Sequence, residues 1–218
     1  MVRRCVYIVV SLFVATAMSA QNVWEKPKDD ATVVIEKEDK SVKNVVKDAK
    51  YLAGAVTEKN GKIVWTTDIS LPGWSADEIY NTTFRVMQEL TKEDNQLEGS
   101  TVSIVNKKEH IIVSSPREWL TFTSKFLWLD RAEMYYTLIA TCSDGLLHLS
   151  MERIKYLYAE NGKDKHKILA EEAISDKNGL NKKKTKLVPG WAKFRKKTID
   201  RKDEIFCYIE NKVKAKLK

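Results

Sequence analysis

Glycine, proline, cysteine and histidine are scarce in this sequence, and the scarcity removes several classes of site. The 218 residues include eight glycines, four prolines, three cysteines and three histidines. The glycines form neither a G-x-G-x-x-G pattern nor a P-loop, so a glycine-rich phosphate-binding loop is excluded. Neither the cysteines nor the histidines stand at metal-ligand spacing, the histidines being His110, His148 and His166. We therefore expect no metal and no other cofactor.

Motifs for nucleophilic catalysis are also missing. The sequence has no G-x-S-x-G, and Cys142 falls on the expected core face of a strand instead of at an electropositive helix start. Cys142 and Cys207 each stand among apolar residues, so we expect two small hydrophobic side chains and no disulfide. These patterns favour a protein that is not an enzyme. The alternative that stays open is an envelope hydrolase whose site is assembled from distant segments.

Long apolar runs are confined to the start of the chain. Arg3 and Arg4 precede an apolar run over residues 5–18, and small residues follow it. This order is typical of a secretory signal peptide. The run of about 14 residues is shorter than the roughly 20 that a membrane-spanning helix needs. We predict a signal peptide over residues 1–20 with cleavage after Ala20, or alternatively after Ala17, and export to the periplasm or cell surface.

The chain that remains after cleavage is long enough for one domain with extensions. About 198 residues would carry a formal charge of about +6. We expect no transmembrane segment in them. Residues 21–58 are interpreted as a charged tether with a short amphipathic helix, which Ser41 caps and Gly54 ends. Apolar side chains recur at helical spacing in this helix: Val42, Val45, Val46, Ala49, Leu52 and Ala53.

The central part of the chain predicts a strand, a helix and then four or five antiparallel strands. "KIVWTTDIS" is rich in β-branched and aromatic residues, and Ser75 and Glu78 have the spacing of a capping box for a helix over 75–90. The Asp144-Gly145 pair predicts a hairpin between two long strands. In the second of these strands the apolar alternation changes phase after Met151, which indicates a bulge or a strand that leaves the sheet.

A second helix is needed because one helix cannot cover the apolar face of such a sheet. Ile205, Ile209, Val213 and Leu217 recur every four residues and predict a helix over 200–216, with Thr198 or Asp200 as its cap. We therefore expect one domain over residues 59–160. Residues 161–218 would form a basic connector and a C-terminal helix that packs on the domain.

Several segments together resemble a known family. They are "YLAGAVTEKNGKIVWTTDISLPGWSADEIYN", "LDRAEMYYTLIATCSDGLLHLSMERIKY", "LNKKKTKL" and "FRKKTIDRKDEIF". In this order, over residues 51–210, they resemble exported bacterial proteins of the domain-of-unknown-function family 4468. The resemblance implies an α+β, TBP-like fold, in which a curved antiparallel sheet in the order β-α-β-β-β-β-α carries its helices on one face. It implies no activity and no site residues, and the name of the fold does not transfer DNA binding.

The strongest charge signal is the segment NKKKTKLVPGWAKFRKKTID, residues 181–200, which places eight lysines and arginines ahead of a single acid. An anionic lipid or polysaccharide of the envelope is one candidate partner for these charges. Nucleic acid is disfavoured because an exported protein meets little of it. The remaining alternative is a solvated connector with an ordered backbone and its lysine tips in water. The candidate contacts are Lys182, Lys183, Lys184, Lys186, Arg195, Lys196 and Lys197.

Aromatic residues cluster on or beside the predicted strands. They are Trp65, Trp74, Trp119, Trp128, Tyr135, Tyr136, Tyr156 and Tyr158. Exposed together on a sheet, such rings would stack on sugars or bases, whereas rings beneath helices fill the core. We expect most of them in the core and Trp74 to be the most exposed. The function that the sequence favours is a non-enzymatic binding or envelope-associated module of unknown partner.

Overall fold

The computed structural model describes residues 48–126, 128–159 and 164–217, except for the side chain of Trp128. All of these residues belong to one compact unit. The predicted signal peptide, most of the charged tether and the first part of its amphipathic helix lie outside the described residues. The described end of that helix is a short 3-10 turn at Ala49–Tyr51.

Within the described residues, eight strands and three helices follow this turn. The strands are β1 (Glu58–Lys59), β2 (Lys62–Ser70), β3 (Thr101–Asn106), β4 (Ile111–Ser115), β5 (Arg117–Lys125), β6 (Trp128–Ser143), β7 (Leu146–Tyr158) and β8 (His166–Leu169). The helices are α1 (Ala76–Leu90), α2 (Ala170–Ala173) and α3 (Pro189–Lys216). The predicted α+β class and the single helix between the first strands and the later strands are confirmed.

One antiparallel sheet contains all eight strands, and the long β6–β7 hairpin forms its centre. On one side, β7 pairs first with β2 and then with β8. On the other side, β6 pairs with β5 along its first half and with β4 along its second half. The sheet therefore continues to Leu169, into the segment that we interpreted from sequence as a connector. This is possible because β8 pairs with the end of β7 that β2 leaves unpaired.

The predicted change of phase in β7 is a β-bulge. Tyr135 pairs with Lys155, but Thr137 pairs with Glu152, so β7 carries an extra residue between these two pairs. Arg153 lies within the bulge with a φ of 55°. Such an insertion changes the alternation of buried and exposed side chains, which is what the sequence pattern had indicated.

Helix α1 begins as predicted. The Ser75 hydroxyl accepts from the backbone N–H of Glu78, and the Glu78 carboxylate accepts from the backbone N–H of Ser75 at 3.0 Å. This reciprocal capping box satisfies two groups that a helix start otherwise leaves without partners. The buried side chains of the helix share one face, and they are Ile79, Tyr80, Thr83, Val86, Met87 and Leu90.

Helix α3 corrects the prediction for the C-terminus, because it starts at Pro189 and not near Asp200. Proline fits the first position of a helix, where its missing N–H is not needed and its fixed φ is already helical. Thr198 is therefore not a cap. It is a buried residue of the helix, and its hydroxyl lies 2.8 Å from the Tyr156 hydroxyl.

The core lies between one face of the sheet and the helices α1 and α3, which also contact each other. Along β6, Met134, Tyr136 and Leu138 are buried on this face, whereas Tyr135 and Thr137 between them are half-buried on the other face. The predicted face of the C-terminal helix, from Ile205 to Leu217, is buried as expected. In the described part of the chain, the second face of the sheet carries neither α1 nor α3.

Both cysteines of the described chain are free thiols. Cys142 is buried on the core face of β6, and Cys207 is exposed on α3. Within the described residues, no helix is both long enough and apolar enough to cross a lipid bilayer.

Candidate functional site

The lysines at 182, 183, 184 and 186 form what we call the basic turn, and the structure places all four at the surface. The Asn181 side-chain oxygen accepts from the backbone N–H groups of Thr185 and Lys186, at 2.9 and 3.2 Å. A bridge between Leu180 and Leu187 closes the turn. Its backbone is thus held by hydrogen bonds while the lysine side chains reach solvent, which agrees with the connector interpretation.

The prediction that Arg195 contacts an anionic surface is wrong, because its side chain is fully buried. The guanidinium donates to the carbonyl oxygens of Tyr51, Leu52 and Ile174 at 2.5–2.8 Å and to the Asp176 carboxylate at 2.7 Å. A buried charge is tolerated when it is paired and fully hydrogen-bonded in this way. The positive charge of Arg195 is therefore used inside the protein.

Lys196 and Lys197 differ in their surroundings. The Lys196 ammonium lies 2.5 Å from the Asp48 carboxylate. Lys197 is exposed, and it lines a hollow in which Lys50 and Arg201 already pair with the acids Asp200, Asp203 and Glu204. The basic segment is therefore divided into an exposed turn and a helix start in which Arg195 and Lys196 pair with carboxylates and Lys197 is exposed.

A different set of cations lies on the helix-free face of the sheet, and the sequence analysis missed it. The Arg131 guanidinium lies 3.6 Å from the centroid of the Trp119 ring. Arg117 and Lys155 lie 5.8 and 5.3 Å from the centroid of the Tyr135 ring. We call these five residues the cation–aromatic face. Each cation lies within the range at which the negative face of a ring attracts a positive charge.

Strand register brings this set together. Arg117 on β5 pairs directly with Tyr135 on β6, and Tyr135 pairs with Lys155 on β7. Directly paired residues of antiparallel strands point to the same face, so the three side chains form a row across the sheet. Side chains alternate along a strand, so Trp119 takes the next position of the same face on β5, where it pairs with Glu133. Arg131 takes the next position of this face beyond Glu133 on β6.

The three cations of the cation–aromatic face are not paired with the carboxylate that lies among them. This carboxylate belongs to Glu133, and it accepts from the Lys165 ammonium at 2.5 Å and from the Tyr135 hydroxyl at 2.6 Å. These two hydrogen bonds hold the pKa of Glu133 below its usual value. Among the described residues, no carboxylate forms an ion pair with Arg117, Arg131 or Lys155. Three cations are thus left to face solvent from fixed positions.

Three strongly raised pKa values lie in the core and follow from burial. Burial raises the pKa values of Tyr136 and Tyr156 well above the usual value for tyrosine, and it raises the pKa of the Cys142 thiol to about 12. All three groups lie in the core beneath the helices. In the ranges that the structure describes, no three His, Cys, Asp or Glu side chains are grouped so that they could hold a metal ion.

The aromatic residues divide between core and surface. Trp65, Tyr136 and Tyr156 are buried, as expected for rings beneath helices. The half-buried rings are those of Trp74, Trp119, Tyr135 and Tyr158. Only two of these, Trp119 and Tyr135, belong to the cation–aromatic face. The sequence signal that could have found this face is the alternation R-x-W along β5 and R-x-E-x-Y along β6.

Comparisons with known proteins agree with this architecture. A family described as "Domain of unknown function (DUF4468) with TBP-like fold" matches residues 65–157. A solved structure of a DUF4468 family protein from Bacteroides ovatus ATCC 8483 is 37% identical, with a TM-score of 0.71, over 76% of this chain and 94% of that chain. A TBP-like protein from Parabacteroides distasonis ATCC 8503 is 20% identical, with a TM-score of 0.61, over 73% of this chain and 97% of that chain.

No curated protein matches the sequence. The second structure supports the fold alone, because its identity is low. The predicted TBP-like, curved antiparallel sheet with helices on one face is confirmed. By its match to the family and its likeness to a solved member over nearly all of that member's length, the chain belongs to DUF4468, a family of unknown function with a TBP-like fold.

Proposed function

We propose that this protein is an exported, non-enzymatic binding module that engages a carboxylate-bearing polysaccharide through the cation–aromatic face. The observation that carries the proposal is the placement of Arg117, Arg131 and Lys155 over two aromatic rings, with no carboxylate paired to them among the described residues. Charge balance at this face would come from an anionic partner.

Pre-organisation supports this assignment. An exposed lysine or arginine normally loses rotamer freedom when it binds an anion, and this loss offsets most of the gain. Contact with a ring restricts the cation before the ligand arrives, so less freedom is lost on binding. Arginine also presents a planar fork of donors that matches a carboxylate.

An extended polymer suits the shape of the site. The row Arg117, Tyr135 and Lys155 crosses three strands, and neighbouring strands lie about 4.8 Å apart. The cations are thus spread across a sheet surface and not gathered in a deep pocket. A chain that repeats its carboxylates can meet several of them at once, which strengthens weak individual contacts.

The experiment is a direct binding measurement with polygalacturonate as the anionic probe and dextran as the neutral one. The test variant changes Arg117, Arg131 and Lys155 to glutamine, which removes three charges from the cation–aromatic face. The matched control changes Lys182, Lys183 and Lys184 to glutamine, which removes three charges from the basic turn. All three proteins are first compared by circular dichroism and thermal unfolding.

The parent protein should bind polygalacturonate and not dextran, and its affinity should fall as salt is added. The test variant should lose about tenfold or more in affinity, since a hydrogen bond to a charged group is worth about 1.5–3 kcal/mol. The control variant should bind as the parent does. If the basic-turn variant loses binding and the sheet variant keeps it, the proposed site is wrong and the basic turn is the anionic contact. Equal binding by all three proteins would also refute the proposal.

Export is part of the same proposal, and its support is the leader-like pattern of residues 1–20. Mass spectrometry of the protein purified from its native host should show a mature chain that begins near Gln21. A cytoplasmic chain that retains residues 1–20 would refute the export proposal, and it would leave the binding measurement unaffected.

A further inference from the structure

A cleft of about 510 Å³ lies on the helix side of the sheet, where the first turn of α3 meets the ends of β7 and β8. This is a different part of the molecule from the cation–aromatic face, and its volume is in the range of small-molecule sites. The lining residues that matter here are Tyr158, His166, Ile168, Trp191, Lys193 and Phe194.

Aromatic rings build the wall of the cleft. The buried Phe194 ring contacts Tyr158 and Trp191 edge-on, with centroids 5.3 and 5.9 Å apart. On its other sides Phe194 meets Phe122 and Tyr156, at 4.6 and 5.1 Å. Such edge-to-face packing holds rings in defined orientations. Trp191 and Tyr158 remain half-exposed beside the cleft.

The polar groups of the cleft include Lys193 and the Tyr158 hydroxyl, and both are hydrogen-bonded to Asp130, which does not itself line the cleft. The Lys193 ammonium donates to the Asp130 carboxylate at 2.9 Å and to the Tyr158 hydroxyl at 2.6 Å. The Tyr158 hydroxyl donates in turn to the second oxygen of Asp130 at 3.0 Å. Burial opposes the charge on Lys193, but these hydrogen bonds prevail and raise its pKa, so Lys193 stays protonated at neutral pH.

The helix start adds little attraction for an anion. Pro189 has no N–H, and the backbone N–H groups of Trp191 and Ala192 both donate to the Val188 carbonyl, at 3.0 and 2.8 Å. Two of the N–H groups that could bind a phosphate or carboxylate at this helix N-terminus are therefore already used. An anion at Lys193 would also lie near the Asp130 carboxylate, which is 2.9 Å from the ammonium, and a cation would meet Lys193 itself.

We propose that this cleft binds a neutral sugar ring, which stacks on Trp191 and hydrogen-bonds to the Lys193 ammonium and the Tyr158 hydroxyl. A sugar ring has an apolar face of C–H groups that matches an exposed indole, and a rim of hydroxyls that both donate and accept. The Lys193 ammonium uses two of its three donors on Asp130 and Tyr158, so the third can donate to a sugar hydroxyl, and the Tyr158 hydroxyl oxygen can accept from a neighbouring one. A cationic ligand at this place would be repelled by the Lys193 ammonium, and an anionic ligand would be repelled by the Asp130 carboxylate.

The inference does not depend on the polysaccharide site proposed for the sheet, because no residue is shared between the two. It is tested with the full chain by following the indole N–H resonances of the tryptophans. Maltotriose, cellotriose and mannotriose serve as neutral probes, trigalacturonate as the anionic probe, and indole as an apolar ring without hydroxyls. Trp191→Phe and Trp191→Leu assign the Trp191 signal and grade the size of the stacking surface.

At least one neutral trisaccharide should shift the Trp191 resonance, and Trp191→Leu should weaken binding by about tenfold, the loss of one stacking contact. Trp191→Phe should retain part of the affinity. Asp130→Asn, which weakens the hydrogen bonds that hold Lys193 and Tyr158 in place, should also weaken binding. The matched control, Trp74→Leu at a half-buried tryptophan that does not line the cleft, should bind as the parent does.

The proposal is overturned if no neutral trisaccharide shifts the Trp191 resonance at about 10 mM, a concentration at which even weak binding is visible. Tighter binding of trigalacturonate or indole than of any neutral trisaccharide, as followed by the Trp191 resonance, would also overturn it, since the ligand of the cleft would then be an anion or a purely apolar ring. Binding that survives both Trp191→Leu and Asp130→Asn would place the sugar outside the cleft.

Discussion

At the scale of single residues, Arg195 shows that a cation from a basic segment can be buried and paired inside the protein. Its guanidinium joins the 3-10 turn at Ala49–Tyr51 to the segment that holds Ile174 and Asp176. Gly179 leaves room for this side chain, since a Cβ there would lie 3.2 Å from the Arg195 Cδ atom. Sequence could not reveal this, because a buried arginine and an exposed one look the same in a basic run. Only the packing in three dimensions shows that the Arg195 charge lies inside the protein and not at the surface.

The two thiols should differ sharply in reactivity. Burial raises the pKa of Cys142 to about 12, so at about pH 8 almost no thiolate forms there. Cys207 is exposed on α3. We predict that iodoacetamide at about pH 8 alkylates Cys207 in the native protein and Cys142 only after denaturant is added. Peptide mass mapping at several reaction times measures both sites in one sample.

The same shift has a consequence for stability. Since the folded-state pKa of Cys142 lies above the usual thiol value of about 8.5, the unfolded chain releases this proton first as the pH rises. The contribution of the protonated thiol is therefore complete below about pH 8.5 and declines between that pH and 12. Cys142→Ala should flatten this part of the curve of stability against pH.

For the alkylation experiment, equal modification of both cysteines in the native protein would contradict the buried position of Cys142.

At the scale of elements, local signals predicted α1 and the β6–β7 hairpin well, because capping residues and turn residues act on their immediate neighbours. The start of α3 was missed for a physical reason. After Ile199 the next fully buried apolar residue of the helix is Ile205, so the helical repeat is interrupted. Lys202 occupies the gap, with its ammonium 5.8 Å from the centroid of the Trp65 ring. A lysine whose alkyl stem covers core residues does not register as apolar in a sequence pattern.

The capping box of α1 gives a prediction for one element. Ser75→Ala removes the hydroxyl that accepts from the Glu78 backbone N–H, and it leaves the helix start with one more unsatisfied donor. We expect a loss of about 1 kcal/mol in the free energy of unfolding, within the range of 0.5–2 kcal/mol seen for such caps. Urea denaturation measures it. Ser70→Ala, at an exposed position of β2, is the control, and an equal effect of the two changes would show that the cap does not matter.

At the scale of the whole molecule, the fold class and the family could be predicted from sequence, whereas the candidate site could not. The cation–aromatic face requires that Arg117, Tyr135 and Lys155 lie on three paired strands in one register. A single sequence shows which residues alternate along a strand, but it does not show which strands are neighbours or how they are aligned. The basic turn, in contrast, is contiguous and was visible at once.

Helix α3 should be indispensable for the fold. The helix buries five large apolar side chains against the sheet and α1: Phe194, Ile199, Ile205, Ile209 and Val213. Since each is worth about 1.5–3 kcal/mol, their sum of about 7–15 kcal/mol equals the whole stability of a typical domain.

We therefore predict that a chain truncated before Pro189 does not fold. Circular dichroism and urea denaturation of the truncated chain should show no cooperative transition. Ile209→Ala in the full chain is the graded control, and it should lower the free energy of unfolding by about 2–5 kcal/mol and leave a folded protein. A truncated chain that unfolds cooperatively would contradict this, because the sheet and α1 would then be stable without the cover that α3 provides. Removing α3 should lower the free energy of unfolding this much because one continuous core spans the sheet and both long helices.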